Sequence, residues 1–320
     1  LEEENRRQRE IWMQMLENGR PSGNPYAFSA PTGDSYGPRW SPDGALLSFT
    51  SERGDDDNST WFVRVSGPGG EAFHIEGVRG APVWSADGEW IAYLALPDET
   101  DIDERAGWIA PDALSNTLDP ERFDGRVVTS TRYKSDGTLT LRPHFSANQA
   151  RDLYLVSAEG GIPRRLTSLP FDKSGVGWSS DGRTIYFSGD DNQDDESSEA
   201  LTSDIWAVRV TDGAVTALTP NPGSETSPSP SPDGTRLAFV FSAERGAERD
   251  LMVVDVGGDG SFTTVPLNLT QDWDLEPGPP QWSADGVAIL FSASIRGNRH
   301  LFRVAAAGGP VVQVTEGERR

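Results

Sequence analysis

The 320-residue chain contains no cysteine. That excludes disulfides, thiolate metal sites and a cysteine nucleophile. Histidine is nearly as scarce: His74, His144 and His300 lie far apart, with no i, i+4 pair among them. Neither a histidine metal site nor a Ser-His-Asp triad has a pattern to rest on. Positive charge is also short, since 28 Lys and Arg stand against 50 Asp and Glu, a net charge of −22. Such a surface repels nucleic acid and anionic lipid, and it suits solubility or a salty medium. No apolar run approaches the roughly 18 residues of a membrane span. The opening LEEENRRQRE lacks both an initiator Met and an apolar leader core, which reads as a processed or trimmed N-terminus.

What the chain has in quantity is 34 Gly, 23 Pro and ten Trp, a composition suited to short strands joined by tight turns. These residues recur in order. Trp40-Ser-Pro-Asp-Gly44 returns as Trp84-Ser-Ala-Asp-Gly88, Trp178-Ser-Ser-Asp-Gly182, Ser231-Pro-Asp-Gly234 and Trp282-Ser-Ala-Asp-Gly286, with a degraded copy at Tyr133-Lys-Ser-Asp-Gly137. The motif aspartates Asp43, Asp87, Asp136, Asp181, Asp233 and Asp285 are spaced by 44, 49, 45, 52 and 52 residues.

An alternating run follows each strong copy: Leu46-Leu-Ser-Phe49, Trp90-Ile-Ala-Tyr93, Thr184-Ile-Tyr-Phe187, Arg236-Leu-Ala-Phe239 and Ala288-Ile-Leu-Phe291. A second run comes later, as in Trp61-Phe-Val-Arg-Val65, Leu153-Tyr-Leu-Val156 and Ile205-Trp-Ala-Val208. A glycine turn and a short "LT" segment close the unit, as in Arg165-Leu-Thr167 and Ala217-Leu-Thr219. Period-2 alternation between Asp-Gly and Gly-Gly turns predicts four antiparallel strands per unit. Four strands per 40–50 residues is a propeller blade. The expected fold is an all-β propeller of six four-stranded blades, with seven as the alternative.

Two regions depart from the repeat. Residues Leu96–Gly125 are acidic and broken by proline, and read as an insertion from the second unit. Residues 2–18 read as an N-terminal α-helix, with apolar residues late and Gly19 at the C-cap. The predicted organisation is a helix and linker over 1–24 and a propeller over 25–320. Pro25–Pro31 is a candidate strand for completing the last blade.

The WSPDG…LLSF…WFVRV…GG unit resembles the TolB-like propeller repeat of bacterial periplasmic proteins. The segment Arg126–Thr167, RVVTSTRYKSDGTLTLRPHFSANQARDLYLVSAEGGIPRRLT, resembles the N-terminal propeller of the prolyl oligopeptidase family, particularly its acylaminoacyl-peptidase branch. The first resemblance implies an extracytoplasmic location. The second implies a gating propeller ahead of an α/β-hydrolase domain with a G-x-S-x-G elbow. The G-x-S-x-G match Gly33-Asp-Ser-Tyr-Gly37 lies directly before Trp40, where the repeat expects the strand entering a blade, so no catalytic residue is assigned.

Among other residues, Gly54–Asn58 and Gly189–Glu199 cluster carboxylates, making Asp55, Asp57, Asp190, Asp191 and Asp194 weak calcium candidates. Neither cluster has calcium-loop spacing, and like-charge runs usually mark solvated loops, so no metal or cofactor is assigned. The motif aspartates, one per blade before Gly, read as Asx-turn residues rather than paired catalytic acids. Trp40, Trp84, Trp178 and Trp282 share one repeat position and read as packing between blades. Aromatic and apolar residues off the repeat are better partner anchors: Ile11, Trp12, Met15 and Leu16 on the expected helix, Trp108 and Ile109 in the insertion. These features predict a non-catalytic interaction or scaffold propeller outside the cytoplasm. Its expected partner is a protein or a membrane-associated complex.

Overall fold

The alternating runs form antiparallel strands joined in sequence order into small sheets. The computed structural model describes residues 9–17, 20–29, 34–53, 56–65, 71–97, 150–190, 203–219, 223–244 and 247–317. Strands β1 (Trp12–Glu17) and β2 (Arg20–Ala27) form a hairpin. The first blade contains β3 (Ser35–Trp40), β4 (Leu46–Arg53) and β5 (Asp56–Arg64), with Phe73 bridged to Phe62 on the outer edge. The second contains β6 (Val83–Trp84), β7 (Trp90–Ala95), β8 (Asp152–Ser157) and β9 (Arg164–Arg165). The third is β10 (Lys173–Trp178), β11 (Thr184–Gly189), β12 (Asp204–Arg209) and β13 (Val215–Ala217). The fourth is β14 (Ser224–Pro230), β15 (Arg236–Ser242), β16 (Arg249–Asp255) and β17 (Leu267–Asn268). The fifth is β18 (Gln281–Trp282), β19 (Ala288–Ile295), β20 (Asn298–Ala305) and β21 (Val312–Gln313). The fold is a β-propeller of small four-stranded blades.

Alternation matters because each central strand serves two neighbours. All six residues of β11 are buried. Ile185 and Phe187 pack with Ala92, Leu153 and Leu155 of the second blade, whereas Tyr186 packs with Leu237 and Phe239 of the fourth. Successive side chains point to opposite faces, so one strand glues two interfaces.

The repeated serine and aspartate shape the turn before each second strand. Ser41, Ser85, Ser179, Ser231 and Ser283 donate their hydroxyls to Asp43, Asp87, Asp181, Asp233 and Asp285 at 2.5–2.7 Å. Each Asp also accepts the N–H two residues on, and each following Gly adopts a positive φ. Bonding by the serine hydroxyl, then by the backbone N–H, holds Asp43, Asp87, Asp233 and Asp285 below the usual carboxylate range. The Asx-turn reading accounts for these aspartates.

The "LT" threonine is a lock. Thr167, Thr219, Thr270 and Thr315 accept the N–H of Leu153, Ile205, Leu251 and Leu301 at 2.8–3.0 Å. The first three donate their hydroxyls to Asp152, Asp204 and Asp250. At the second–third junction the Lys173 ammonium lies 3.0 Å from Asp152, with both side chains fully buried. It also donates to the carbonyls of Arg151 and Phe171, while Arg165 holds the other Asp152 oxygen.

The N-terminal region corrects the expected helix, because residues 12–17 are β-strand. An apolar cluster spanning Ile11 to Leu16 fits either period, and pairing with β2 decides between them. Residues 1–8 lie outside the described residues. Bond by bond, the hairpin reproduces strands three and four of a blade. The Ile11 N–H donates to Ser29 as Leu153 does to Thr167, and Phe28 N–H donates to Ile11 O as Leu166 does to Leu153. Arg9 pairs with Asp34 as Arg151 does with Asp172, and Ser35 N–H reaches Arg9 O as Glu225 reaches Ser203. Residues 9–29 are therefore the outer half of a sixth blade, set against the first.

The unit boundaries also need correction. β7 pairs directly with β8, from Trp90↔Ser157 to Ala95↔Asp152. Everything from 96 to 151 is therefore one connection inside the second blade. The expected insertion, 96–125, falls within this connection, and so does the Tyr133 copy. Its residues lie outside those described. Pro25–Ala27, foreseen as closing the last blade, belongs to β2, the outermost strand of the half-blade, and pairs with β1.

The buried charge network supplies a stability test. Asp152→Ala should strand the Lys173 ammonium and cost about 3–5 kcal/mol, read as a lower urea midpoint. An unchanged midpoint would show that the network contributes nothing.

Candidate interaction surface

Catalytic machinery is not assembled among the described residues. His74 is 2.8 Å from the Thr60 carbonyl through Nδ1 and stacks on Trp61 at 3.9 Å between ring centroids. His300 is buried and its Nδ1 has no hydrogen-bond partner. Neither bonds a serine or a carboxylate, and His144 lies outside the described residues. No group of three or more His, Asp or Glu able to hold a metal occurs among the described residues.

The calcium candidates are not brought together. Asp190 is exposed at the end of β11 and Asp57 lies within β5, on different blades, while Asp55, Asp191 and Asp194 fall outside the described residues. Connections between second and third strands leave the same end of every blade, because each sheet is an up-and-down meander. The acidic loops after β4 and β11 therefore start from one rim.

A recess lies at the opposite end, between the first two blades. It encloses about 560 Å³ and is lined by Asp43, Arg64, His74, Glu76, Trp84 and Asp87, among others. Two of its carboxylates, Asp43 and Asp87, are already committed to the turns. The Trp84 indole N–H is buried without a partner. Its repeat equivalents, Trp178 and Trp282, donate to Val83 O and Ser229 O of the preceding blades at 2.9 and 2.7 Å. The corresponding carbonyl for Trp84, Arg39 O, instead accepts the Ser48 hydroxyl.

The proposed partner residues divide. Ile11 is 5% exposed and packs with Leu47 and Phe49, so it is core and not a free contact. Trp12 and Met15 are 60% and 62% exposed on β1. Leu16 lies on the same strand, while Trp108 and Ile109 lie outside the described residues. The structure adds Tyr26 on β2 and corrects Trp40. Trp178 is 8% exposed, as expected of packing between blades, but Trp40 is 51% exposed. The inner strand and second strand that would cover it belong to the blade of which residues 9–29 form only the outer half. Trp40 opens the first complete copy of the motif, and that position is the one sequence signal that sets it apart. β1 has one ladder partner, β2, so its other edge is unpaired among the described residues.

One further group is electrostatically unusual. Glu225, at the junction of the third and fourth blades, is buried with its Oε2 unpartnered. Burial, and then the nearby Asp204 charge, push its carboxyl up from 4.5 to about 7.

No protein-family model matches the chain. Dipeptidyl-peptidase 5 of Porphyromonas gingivalis is 24% identical over 293 residues, covering 89% of this chain and 41% of the relative. An uncharacterized peptidase of Bacillus subtilis, YuxL, is 31% identical over 169 residues, covering 52% of this chain and 23% of its own length. The chain thus spans less than half of these curated relatives. Among solved structures, TolB from Acinetobacter baumannii superposes with a TM-score of 0.57 at 15% identity, over 92% of this chain and 58% of that one. Prolyl oligopeptidase B from Galerina marginata gives 0.51 at 10% identity, over 89% of this chain and 38% of that one. These similarities establish a propeller of the kind seen in TolB and in peptidase propeller domains. No helix among the described residues is long and apolar enough to cross a membrane.

Glu225 generates a pH test. Its folded carboxyl holds a proton at pH values where the unfolded one, at 4.5, has lost it. Stability should fall as pH rises from about 4.5 to about 7, and the deficit should persist above that. Glu225→Gln should remove this dependence in urea-unfolding midpoints. A slope unchanged by the substitution would assign it to other groups.

Proposed function

We propose that this chain is the non-catalytic, docking and substrate-screening propeller of a dipeptidyl-peptidase-like protein, working outside the cytoplasm. The observation that carries this reading is the match across 89% of the chain to a dipeptidyl-peptidase more than twice as long. Its geometry suits the role. A ring of blades presents loops at both ends, and its N-terminal half-blade has a strand edge unpaired among the described residues, with Trp12, Met15 and Trp40 exposed. Edge strands with neighbouring aromatics are places where another chain adds strands and buries anchors. The catalytic serine, acid and histidine of the peptidase would come from a separate hydrolase unit.

A scaffold role in an extracytoplasmic, membrane-associated assembly is the second reading. It is favoured by the higher TM-score with TolB, 0.57 against 0.51 for the oligopeptidase. Both readings share a non-catalytic propeller and differ in its partner.

Fluorophosphonate labelling separates them. The isolated chain should not label, whereas the polypeptide made from its native reading frame should label and release dipeptides from an unblocked peptide. Absence of labelling in that polypeptide would reject the peptidase reading in favour of the scaffold. Labelling of the isolated chain itself would reject both.

A further inference from the structure

Three junctions between blades carry the same ion pair. Arg9, Arg151 and Arg249 each lie two residues before Ile11, Leu153 or Leu251, whose N–H groups bond the lock hydroxyls. Each arginine reaches a carboxylate ahead of the next inner strand: Asp34 at 3.1 Å, Asp172 at 2.6 Å and Glu276 at 2.5 Å. Those carboxylates stand six residues before Trp40, Trp178 and Trp282. At the third–fourth junction both places hold serine, Ser203 and Ser224. In these four junctions arginine and carboxylate are present together or absent together.

The fifth blade carries the arginine without the carboxylate. Arg299 lies two residues before Leu301, whose N–H bonds Thr315, and it pairs with Ser294 as Arg249 pairs with Ser242. Arg299 is exposed, and among the described residues its guanidinium bonds only the Ser292 hydroxyl of its own blade, at 3.0 Å. The face around it is equally uncovered. Leu153, Ile205 and Leu251 are fully buried against the next blade, whereas Leu301 is only partly buried. Alternation puts Arg303 on the same face, exposed beside its ladder partners Leu290 and Val312. Val312 is 56% exposed. Phe302 and Val304, on the opposite face, pack against the fourth blade. Two exposed cations on an apolar face stand out in a chain of net charge −22.

We propose that this face of the fifth blade docks a β-hairpin of a partner polypeptide, whose first strand brings a carboxylate to Arg299 with the spacing of Asp172 before Trp178. The three sister junctions supply the register and the chemistry. Such a strand gains a charge-assisted pair with Arg299, covers Leu301 and Val312, and meets a second cation in Arg303. In each complete blade the inner strand is followed by one that pairs with the third strand. β1 holds that third place in the half-blade, and its other edge is unpaired among the described residues. A hairpin therefore suits the site better than a single strand. The net charge of −22 repels a polyanion, so one or two carboxylates on a strand fit where a nucleic acid does not. This inference names the chemistry of the docking partner and so rests on the docking role proposed above.

The test uses the 320-residue chain and a fluorescent peptide with the sequence of residues 172–189, an inner half-blade carrying Asp172 and Trp178. Anisotropy at low ionic strength should show saturable binding, and Arg299→Glu should weaken it about tenfold. Arg209→Glu makes the same change of net charge on the third blade and should leave binding unchanged. A peptide carrying Asp172→Arg should bind the wild-type chain about tenfold more weakly and recover on the Arg299→Glu chain. No binding at about 1 mM peptide would overturn the acidic-strand proposal. So would binding that Arg299→Glu and Arg209→Glu affect alike, or a charge swap that restores nothing. The docking role itself fails separately, through fluorophosphonate labelling of the isolated chain, which peptide binding does not affect.

Discussion

At two junctions between blades, a short stretch hands the chain from the last turn of one blade to the inner strand of the next. The Glu225 N–H reaches the Ser203 carbonyl at 2.6 Å, and Ser35 reaches Arg9 at 2.9 Å. A threonine or serine hydroxyl six residues upstream of that inner-strand residue clamps the same corner. These bonds fix the height of each inner strand against the preceding blade. Once the height is set, alternation along the central strands places one row of side chains in each of two interfaces. A four-stranded sheet has two apolar faces and cannot cover either by itself, so the corner bonds determine whether the ring can be packed.

That dependence explains what could be read from residues alone. Spacing of the Asp-Gly turns and period-2 runs located the four-stranded units and the turn role of the aspartates, because both are local. The threonine of each "LT" pair was visible as a repeat, but its partner lies 14–19 residues away across the sheet, so its locking role was not. The N-terminal strand was misread as a helix because its apolar residues are contiguous and its deciding contact is the hairpin partner. Only the β7–β8 ladder shows that the chain leaves and re-enters one sheet.

The candidate sites follow from where the repeat is incomplete or altered. Trp40 has the same sequence context as Trp178, yet one is exposed and the other buried, because among the described residues only Trp178 has a whole blade behind it. Glu225 has the register of Lys173 with the opposite charge. In both cases comparison between copies identified the residue, whereas its own type did not. Ile11 shows the converse: an apolar residue off the repeat became core once the half-blade was seen to pack on the first blade. Similarity to TolB and to peptidase propellers shows the fold, and the turn aspartates are consumed by structure.

The central claim is that residues 9–29 form half a blade whose open edge receives a partner. Hydrogen exchange measured peptide by peptide, on the isolated chain and on the polypeptide from its native reading frame, tests it most directly. The account predicts protection of residues 12–17 and 34–40 that rises markedly in the longer polypeptide, with residues 184–189 unchanged. Equal protection of residues 12–17 and 34–40 in the two would contradict an open edge and the docking role built on it.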